Sequence, residues 1–229
     1  MFKPVACVFV ALTAIASVTS ASAQSDRAGE TTKVQPDAYQ HQSFVPETLG
    51  VGDAIYQNAK VVTARLGSTE IRFEDETMLT IGPNSDVTID SYVYSPSSGS
   101  GETAIRIGRG VLRMISGRIP ADGVRLRTPV ATIGIRGTSF WLDTTEVTEV
   151  RIWVEEGTVL STPDQSDQTF ELDAPVFAIC SAFACVEQDG PGVPGAFPAA
   201  PRGAAALDDA DESNEPAGGR DDEGRSNDD

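Results

Sequence analysis

The sequence predicts an all-β domain in the middle of the chain, with disordered tails at both ends. Apolar residues recur there as pairs with strand-like alternation, at an interval of eight residues and with polar turns between them. The pairs are Ile71/Phe73, Leu79/Ile81 and Val87/Ile89. No window between residues 50 and 175 shows a convincing helical period, because glycine or proline interrupts most candidates. Short strands at regular spacing favour either a β-sandwich or a coiled stack of strands.

The first 23 residues have the pattern of a secretory signal peptide. Lys3 precedes an apolar run, and Ala21-Ser22-Ala23 forms a small-residue cleavage site ahead of Gln24. A transmembrane anchor is the alternative, but the apolar run is short and no charged stop-transfer cluster follows it. We therefore expect export, with no membrane span in the mature form.

Residues 24–49 are polar and are predicted to be a flexible leader into the domain. They contain His41, the single histidine of the chain, which we expect to be solvated because no second metal-type ligand is nearby. Residues 95–101 are rich in serine and glycine and predict an exposed loop. Further strands are predicted at residues 104–107, 111–115, 124–126 and 150–155, the last of which turns at Gly157 into residues 158–160.

A break in the alternation marks residues 127–142, the longest β-rich run after the leader. Ile133 and Ile135 occupy odd positions, whereas Phe140 and Leu142 occupy even ones. Because side chains alternate between the two faces of a strand, one extra residue is needed to keep both pairs on the same face. Gly137 lies between the pairs, so the sequence predicts a bulge or sharp corner there.

The segment T-P-V-A-T-I-G-I-R-G-T-S-F at residues 128–140 resembles the signature of the FecR domain family. Residues 51–89 resemble the opening strands of that family and residues 148–162 its closing strand, so the resemblance covers residues 50–163. One turn departs from the family pattern, which often has Asp-Gly-Ser where this chain has Glu74-Asp75-Glu76-Thr77. The family-motif residues, for which we expect a structural role, are Thr128, Pro129, Gly134, Arg136, Gly137, Thr138 and Gly157.

The resemblance implies a solenoid-like β-fold rather than the runner-up, a β-sandwich. It also implies a binding or sensing module of the bacterial envelope. Regulators of this family also carry a cytoplasmic anti-sigma segment and a membrane span before the domain. We expect neither here, so the protein would be unable to signal into the cytoplasm on its own. The expected location is the periplasm, with the extracellular space as the alternative.

The cysteines predict one disulfide. Cys7 would be removed with the leader, which leaves Cys180 and Cys185 in an oxidising compartment. A hairpin with a four-residue loop would bring them within bridging distance, so we predict an additional β-hairpin with a disulfide at residues 164–189. The alternative is a pair of free thiols.

The final segment, residues 190–229, is rich in glycine, proline and alanine and then in acidic residues, which predicts a disordered tail. The whole chain has 34 acidic residues against 17 basic ones. Such a balance argues against nucleic-acid binding, since a phosphate backbone requires a basic face.

Nothing in the sequence predicts an enzyme. The predicted domain has no histidine to activate a serine or cysteine nucleophile, and its carboxylates form no recognisable pair. We expect no metal and no cofactor. Arg136 is the sharpest single candidate for a function: its guanidinium would bind an anion or a partner, or it would pair with a carboxylate or with carbonyls freed at the corner. Trp141 and Trp153 point away from the predicted core, either as contact residues or under a second layer.

Two functions remain open from the sequence. The first is an exported, non-catalytic domain that binds an unidentified envelope protein or glycan. The alternative is a structural scaffold or assembly module without a ligand, which would be favoured by long uncapped strand edges, because such edges template strand addition.

Overall fold

The computed structural model describes residues 27–42 and 45–189. Within these residues the chain forms sixteen β-strands and one short 3₁₀ helix, Ala121–Gly123. The strands are β1 (Arg27–Gln35), β2 (Ala38–His41), β3 (Glu47–Thr48), β4 (Ala54–Tyr56), β5 (Lys60–Thr63), β6 (Ser68–Phe73), β7 (Met78–Ile81), β8 (Asp86–Ser95), β9 (Ser100–Arg109), β10 (Val111–Ile115), β11 (Val124–Arg127), β12 (Ala131–Asp143), β13 (Glu149–Pro163), β14 (Phe170–Asp173), β15 (Val176–Ser181) and β16 (Cys185–Glu187).

All sixteen strands belong to one hydrogen-bonded sheet, which curls around its own apolar face. Neighbouring strands are antiparallel except β9 and β11, which are parallel. The predicted all-β, solenoid-like class is therefore confirmed, in the form of a curled sheet. Among the described residues, no helix has the length and apolar character needed to cross a membrane.

The long strands β12 and β13 connect two halves of the sheet. The first half of β12 pairs with β11, and its second half pairs with β10. In the same way, the first half of β13 pairs with β15, and its second half pairs with β14. We call the part that contains β6, β7, β10, β15 and β16 the β10 half-sheet, and the part that contains β8, β9, β11 and β14 the β9 half-sheet.

One apolar core lies inside the curl. Its fully buried residues come from both half-sheets and include Phe140, the largest of them. The three predicted pairs all point into this core, with exposures of 0–2%. Their alternation in the sequence thus reflects one buried face and one outer face along β6, β7 and β8.

The predicted flexible leader is wrong for the described part of residues 24–49. Strand β1 pairs with β6 on one side and β4 on the other, while β2 pairs with β5. The inward positions of these strands carry small or polar residues: Ala28 and Ala38 are completely buried, and Gln40 is 3% exposed. Such strands show no apolar alternation of their own, because backbone pairing with distant strands stabilises them. His41 lies within this sheet, opposite Lys60, and is half-buried rather than fully solvated.

The C-terminal strands contain the predicted hairpin and its disulfide. Strands β15 and β16 are antiparallel, and the bridged Cys180 and Cys185 face each other in the register. Cys180 is completely buried. Because β14 and β15 both pair with β13, residues 170–187 extend the main sheet. The predicted signal peptide at residues 1–23 and the predicted tail at residues 190–229 lie outside the described residues.

Candidate functional site

The predicted corner lies in β12. The pairing register between β12 and β13 shifts between Arg136 and Ser139, and Gly137 has a φ of +58°. The extra residue returns Phe140 to the core face, which Ile135 occupies before the corner. The bulge predicted from the parity of the apolar residues is therefore confirmed.

Strand β13 bends at the same place, through Gly157. Its φ is +75°, and a Cβ atom built there would lie 2.1 Å from the carbonyl oxygen of Gly137. Only a residue without a side chain fits so close to another backbone. The two glycines thus let the β12–β13 hairpin pass from one half-sheet to the other.

Threonines of the family motif hold the backbone around the corner. The Thr138 amide donates to Ser116 Oγ at 2.8 Å, and its carbonyl accepts from the Ser116 amide at 2.9 Å. The Thr128 hydroxyl accepts from the Ala131 amide at 3.0 Å, which closes the turn ahead of β12. Both threonines are buried.

The remaining motif residues are on the outside. Pro129 is exposed in the turn before β12, and Gly134 is outward-facing with ordinary space for a Cβ atom, 3.7 Å from that of Leu160. Arg136 is 64% exposed, and its Nη1 lies 3.8 Å from Glu171 Oε1. The sequence offered two structural partners for Arg136. The carboxylate partner is found, as Glu171, whereas the pairing with freed carbonyls at the corner is wrong. Main-chain amides reach two carbonyls near the corner: Ala174 donates to the Gly157 oxygen at 3.0 Å, and Ser116 donates to the Thr138 oxygen at 2.9 Å.

A row of aromatic side chains crosses the outer face of the β10 half-sheet. Trp141 on β12 faces Trp153 on β13, and Trp153 faces Phe177 on β15. All three are half-buried. The rings of Trp153 and Phe177 are 6.4 Å apart between centroids. We call these three residues the aromatic row.

Polar side chains fix one end of the aromatic row. Arg113 on β10 faces Trp141, with its Cζ 5.6 Å from the ring centroid. Glu155 accepts from the indole of Trp141 at 3.0 Å, from Ser139 Oγ at 2.7 Å and from Arg113 Nη2 at 2.7 Å. These bonds orient the ring of Trp141 and hold the guanidinium beside it.

The same bonds shift the acidity of Glu155. Partial burial acts to raise the pKa of this carboxyl, but the hydrogen bonds from Ser139, Arg113 and Trp141 favour the ionised form. Together they prevail, so the pKa of Glu155 lies below its ordinary value of 4.5. Glu155 is therefore a fixed negative charge at neutral pH, and it keeps Arg113 in place.

The turn that departs from the family pattern is a closed structural network. Asp75 is completely buried and accepts from Thr77 Oγ1 at 2.6 Å and from the Tyr92 hydroxyl at 3.2 Å. Burial, together with the Asp75 carboxylate, raises the pKa of Tyr92, so the phenol stays neutral. Glu76 has a φ of +71°, a conformation that glycine adopts without strain.

The sequence singled out two members of the aromatic row and missed the rest. Trp141 and Trp153 were recognised as pointing away from the core, whereas Phe177, Arg113 and Glu155 were not connected to them. The alternation within each strand shows that these side chains point outward. Their proximity, however, depends on the register between strands that are far apart in sequence. In the described part of the chain, no group of side chains is arranged to hold a metal ion.

The structure is a curled all-β domain with a row of aromatic side chains on the outer face of its sheet. Residues 59–160 match the family described as "FecR protein", so this part of the chain is similar to FecR domains. Two crystal structures of a proposed anti-sigma factor from Parabacteroides distasonis are similar, each with a TM-score of 0.44 and 13% sequence identity. The alignments cover 56% of this chain and 58% of that one, so this chain spans well under two thirds of those structures. A likeness at this level carries no argument about function. The comparison with curated proteins found no match.

Proposed function

We propose that the protein is an exported, non-catalytic binding or sensing module of the bacterial cell envelope, with the aromatic row as its contact surface. The observation that carries the proposal is the position of the row, since two tryptophans and a phenylalanine lie on the outer face of the sheet rather than in the core. Aromatic residues in such positions commonly supply much of the free energy of binding at protein interfaces.

The similarity to FecR domains and the disulfide support this proposal. A FecR domain is typical of signalling and sensing modules. A disulfide persists in oxidising compartments such as the periplasm, which agrees with the leader predicted at residues 1–23. The partner is an envelope protein that carries a surface complementary to the aromatic row; a glycan is the alternative outcome of the test below.

The structural alternative receives no support from the sheet edges. The strands that end the pairing ladders in the described residues are short: β3 has 2 residues, β4 has 3, β14 has 4 and β16 has 3. An edge of this length is a poor template for strand addition, so these four strands do not favour a scaffold.

Capture from envelope extract tests the proposal. The chain from Gln24 onward is immobilised, and bound proteins and glycans are identified by mass spectrometry. Trp153→Ala is expected to lose the captured species. Val93→Ala is the matched control, because Val93 is 48% exposed on β8 and lies outside the row. Equal capture by both variants would exclude the aromatic row as the contact surface.

Export has its own test. Intact-mass measurement of the protein from the periplasmic fraction is expected to show a chain that begins at Gln24. A retained N-terminus would show that the apolar leader is an anchor.

A further inference from the structure

The described chain ends beside the aromatic row. After β16 the amide of Gln188 donates to the carbonyl oxygen of Phe177 at 2.8 Å, so the last described residues lie against the end of the row. On the same outer face, Val186 is opposite Ile179 and is 59% exposed. The aromatic row, Ile179 and Val186 form a continuous apolar strip that leads toward residue 189, where the described chain ends.

The next twelve residues carry a spaced proline pattern. Residues 190–201 read G-P-G-V-P-G-A-F-P-A-A-P and contain two P-x-x-P sequences, Pro191/Pro194 and Pro198/Pro201. We call this stretch the proline segment. P-x-x-P sequences favour the polyproline II helix, which docks on aromatic-lined surfaces because its conformation is already restricted before binding.

The spacing of the prolines fits the spacing of the row. A polyproline II helix rises about 3.1 Å per residue and has 3 residues per turn, so prolines three residues apart lie on one side about 9.3 Å apart. Strands in a sheet lie about 4.8 Å apart, so Trp141 and Phe177, on strands either side of β13, are separated by roughly 9.6 Å. One P-x-x-P pair therefore spans the row from end to end.

Charge does not favour the acidic part of the tail as the occupant. The arginines beside the row already have carboxylate partners: Arg113 contacts Glu155 at 2.7 Å, and Arg151 contacts Glu149 at 2.7 Å. An acidic segment would have to displace these pairs, whereas the uncharged proline segment would cover only apolar surface.

We propose that the proline segment of this chain docks on the aromatic row in the polyproline II conformation and competes there with the envelope partner. The proposal rests on the proposed function for the identity of the surface and adds its internal occupant.

Tryptophan fluorescence reports this contact directly. The chain has two tryptophans, and both belong to the row. In a chain that ends at Asp189, the emission is expected to shift to longer wavelength and acrylamide quenching to increase, because both rings gain solvent. A chain that ends at Pro201 is the matched control and should keep the spectrum of the parent, since it retains the proline segment and loses only the acidic residues.

Two further measurements separate docking from a general loss of structure. Replacing the four prolines by alanine in the full chain should reproduce the spectrum of the chain ending at Asp189, and a synthetic peptide of residues 190–201 should reverse the shift in that chain. Identical spectra for the chains ending at Asp189 and Pro201 would overturn the proposal. If removal of residues 202–229 already shifts the emission, the acidic residues cover the aromatic row, and the proposal is overturned too. If the spectrum of the parent changes with protein concentration, a second copy of the chain covers the aromatic row, and the proposal is overturned as well.

The failures of the two proposals are distinguishable. The fluorescence experiment contains no partner, so it succeeds or fails without regard to capture from the envelope. If both hold, the chain ending at Asp189 should capture more partner than the chain ending at Pro201.

Discussion

Gly157 is the residue on which the corner depends most. Its φ is positive, and a Cβ atom at this position would lie only 2.1 Å from the Gly137 carbonyl oxygen, which leaves no room for a side chain. We expect Gly157→Ala to lower the free energy of unfolding by at least about 2 kcal/mol, because the left-handed conformation and the backbone clash both oppose the methyl group. Chemical denaturation followed by tryptophan fluorescence measures the change.

Two other glycines of the motif serve as graded controls. Gly137 has a φ of +58° but nothing within 4 Å of a Cβ, so Gly137→Ala should cost only the backbone strain, about 1 kcal/mol. Gly134 has no positive φ and an ordinary 3.7 Å contact, so Gly134→Ala should be tolerated. Equal losses at all three positions would show that the close approach at Gly157 does not govern the corner.

Two arginines on the outer face should differ in their contribution to stability. The Arg136 contact is a 3.8 Å exposed ion pair, so Arg136→Ala should change the free energy of unfolding by only about 0–1 kcal/mol. Arg113 is partly buried and bonds Glu155 and Ser139, so Arg113→Ala should cost about 1–3 kcal/mol. Thermal melts of the two variants test the order, and a larger loss for Arg136→Ala would contradict it.

At the scale of elements, the β12–β13 hairpin holds together the corner and the aromatic row. Its two strands bend together, so the same hairpin contributes Ile135 and Val159 to one half of the core and Phe140 and Val154 to the other. Its outer face carries Trp141, Trp153 and Glu155. A distortion of the corner would therefore reach the contact surface through these continuous strands.

The pH dependence of stability should report the polar end of the row. Because the pKa of Glu155 is lowered in the folded state, the carboxylate stabilises the fold above its ordinary pKa of 4.5, and this contribution is lost as the pH falls through the lower folded value. Glu155→Gln should thus melt below the parent at pH 7, with the gap narrowing under pH 4.5. Glu156→Gln is the matched control, because Glu156 is exposed and lies outside these hydrogen bonds, and it should melt like the parent at pH 7. A gap for Glu155→Gln that stays constant down to about pH 3 would contradict the assignment.

For the whole molecule, the N-terminal strands set the limits of the stable unit. Strand β1 joins β6 to β4, and β2 covers β5, so a chain that begins at Gly50 loses the partners of three strands. We expect such a chain to melt well below the chain that begins at Gln24. Backbone groups of β4, β5 and β6 would lose their hydrogen bonds, and the core would lose the completely buried Ala28 and Ala38.

Limited proteolysis offers an independent measurement of the same limits. Trypsin should leave the bond after Lys33 intact while it removes residues beyond Arg202, since Lys33 lies in a strand paired with β6. Early cleavage at Lys33 would show that β1 opens independently of the sheet.

The sequence by itself determined the features that depend on neighbouring residues along the chain. Alternation identified the buried faces of β6, β7 and β8, and the parity switch between Ile135 and Phe140 located the bulge at Gly137. The five-residue separation of the cysteines was enough to predict the bridge. Each of these follows from strand geometry within one segment or one hairpin, which requires no knowledge of the rest of the fold.

Only the tertiary structure decided the features that depend on which strands meet. Polar β1 and β2 became part of the sheet because distant strands satisfy their backbone groups, a contribution that does not appear in hydrophobic periodicity. Arg136 proved to be exposed because main-chain amides reach the carbonyls at the corner. Trp141, Trp153 and Phe177 became one surface through the register of β12, β13 and β15, and register is set by pairing between segments rather than by any one of them.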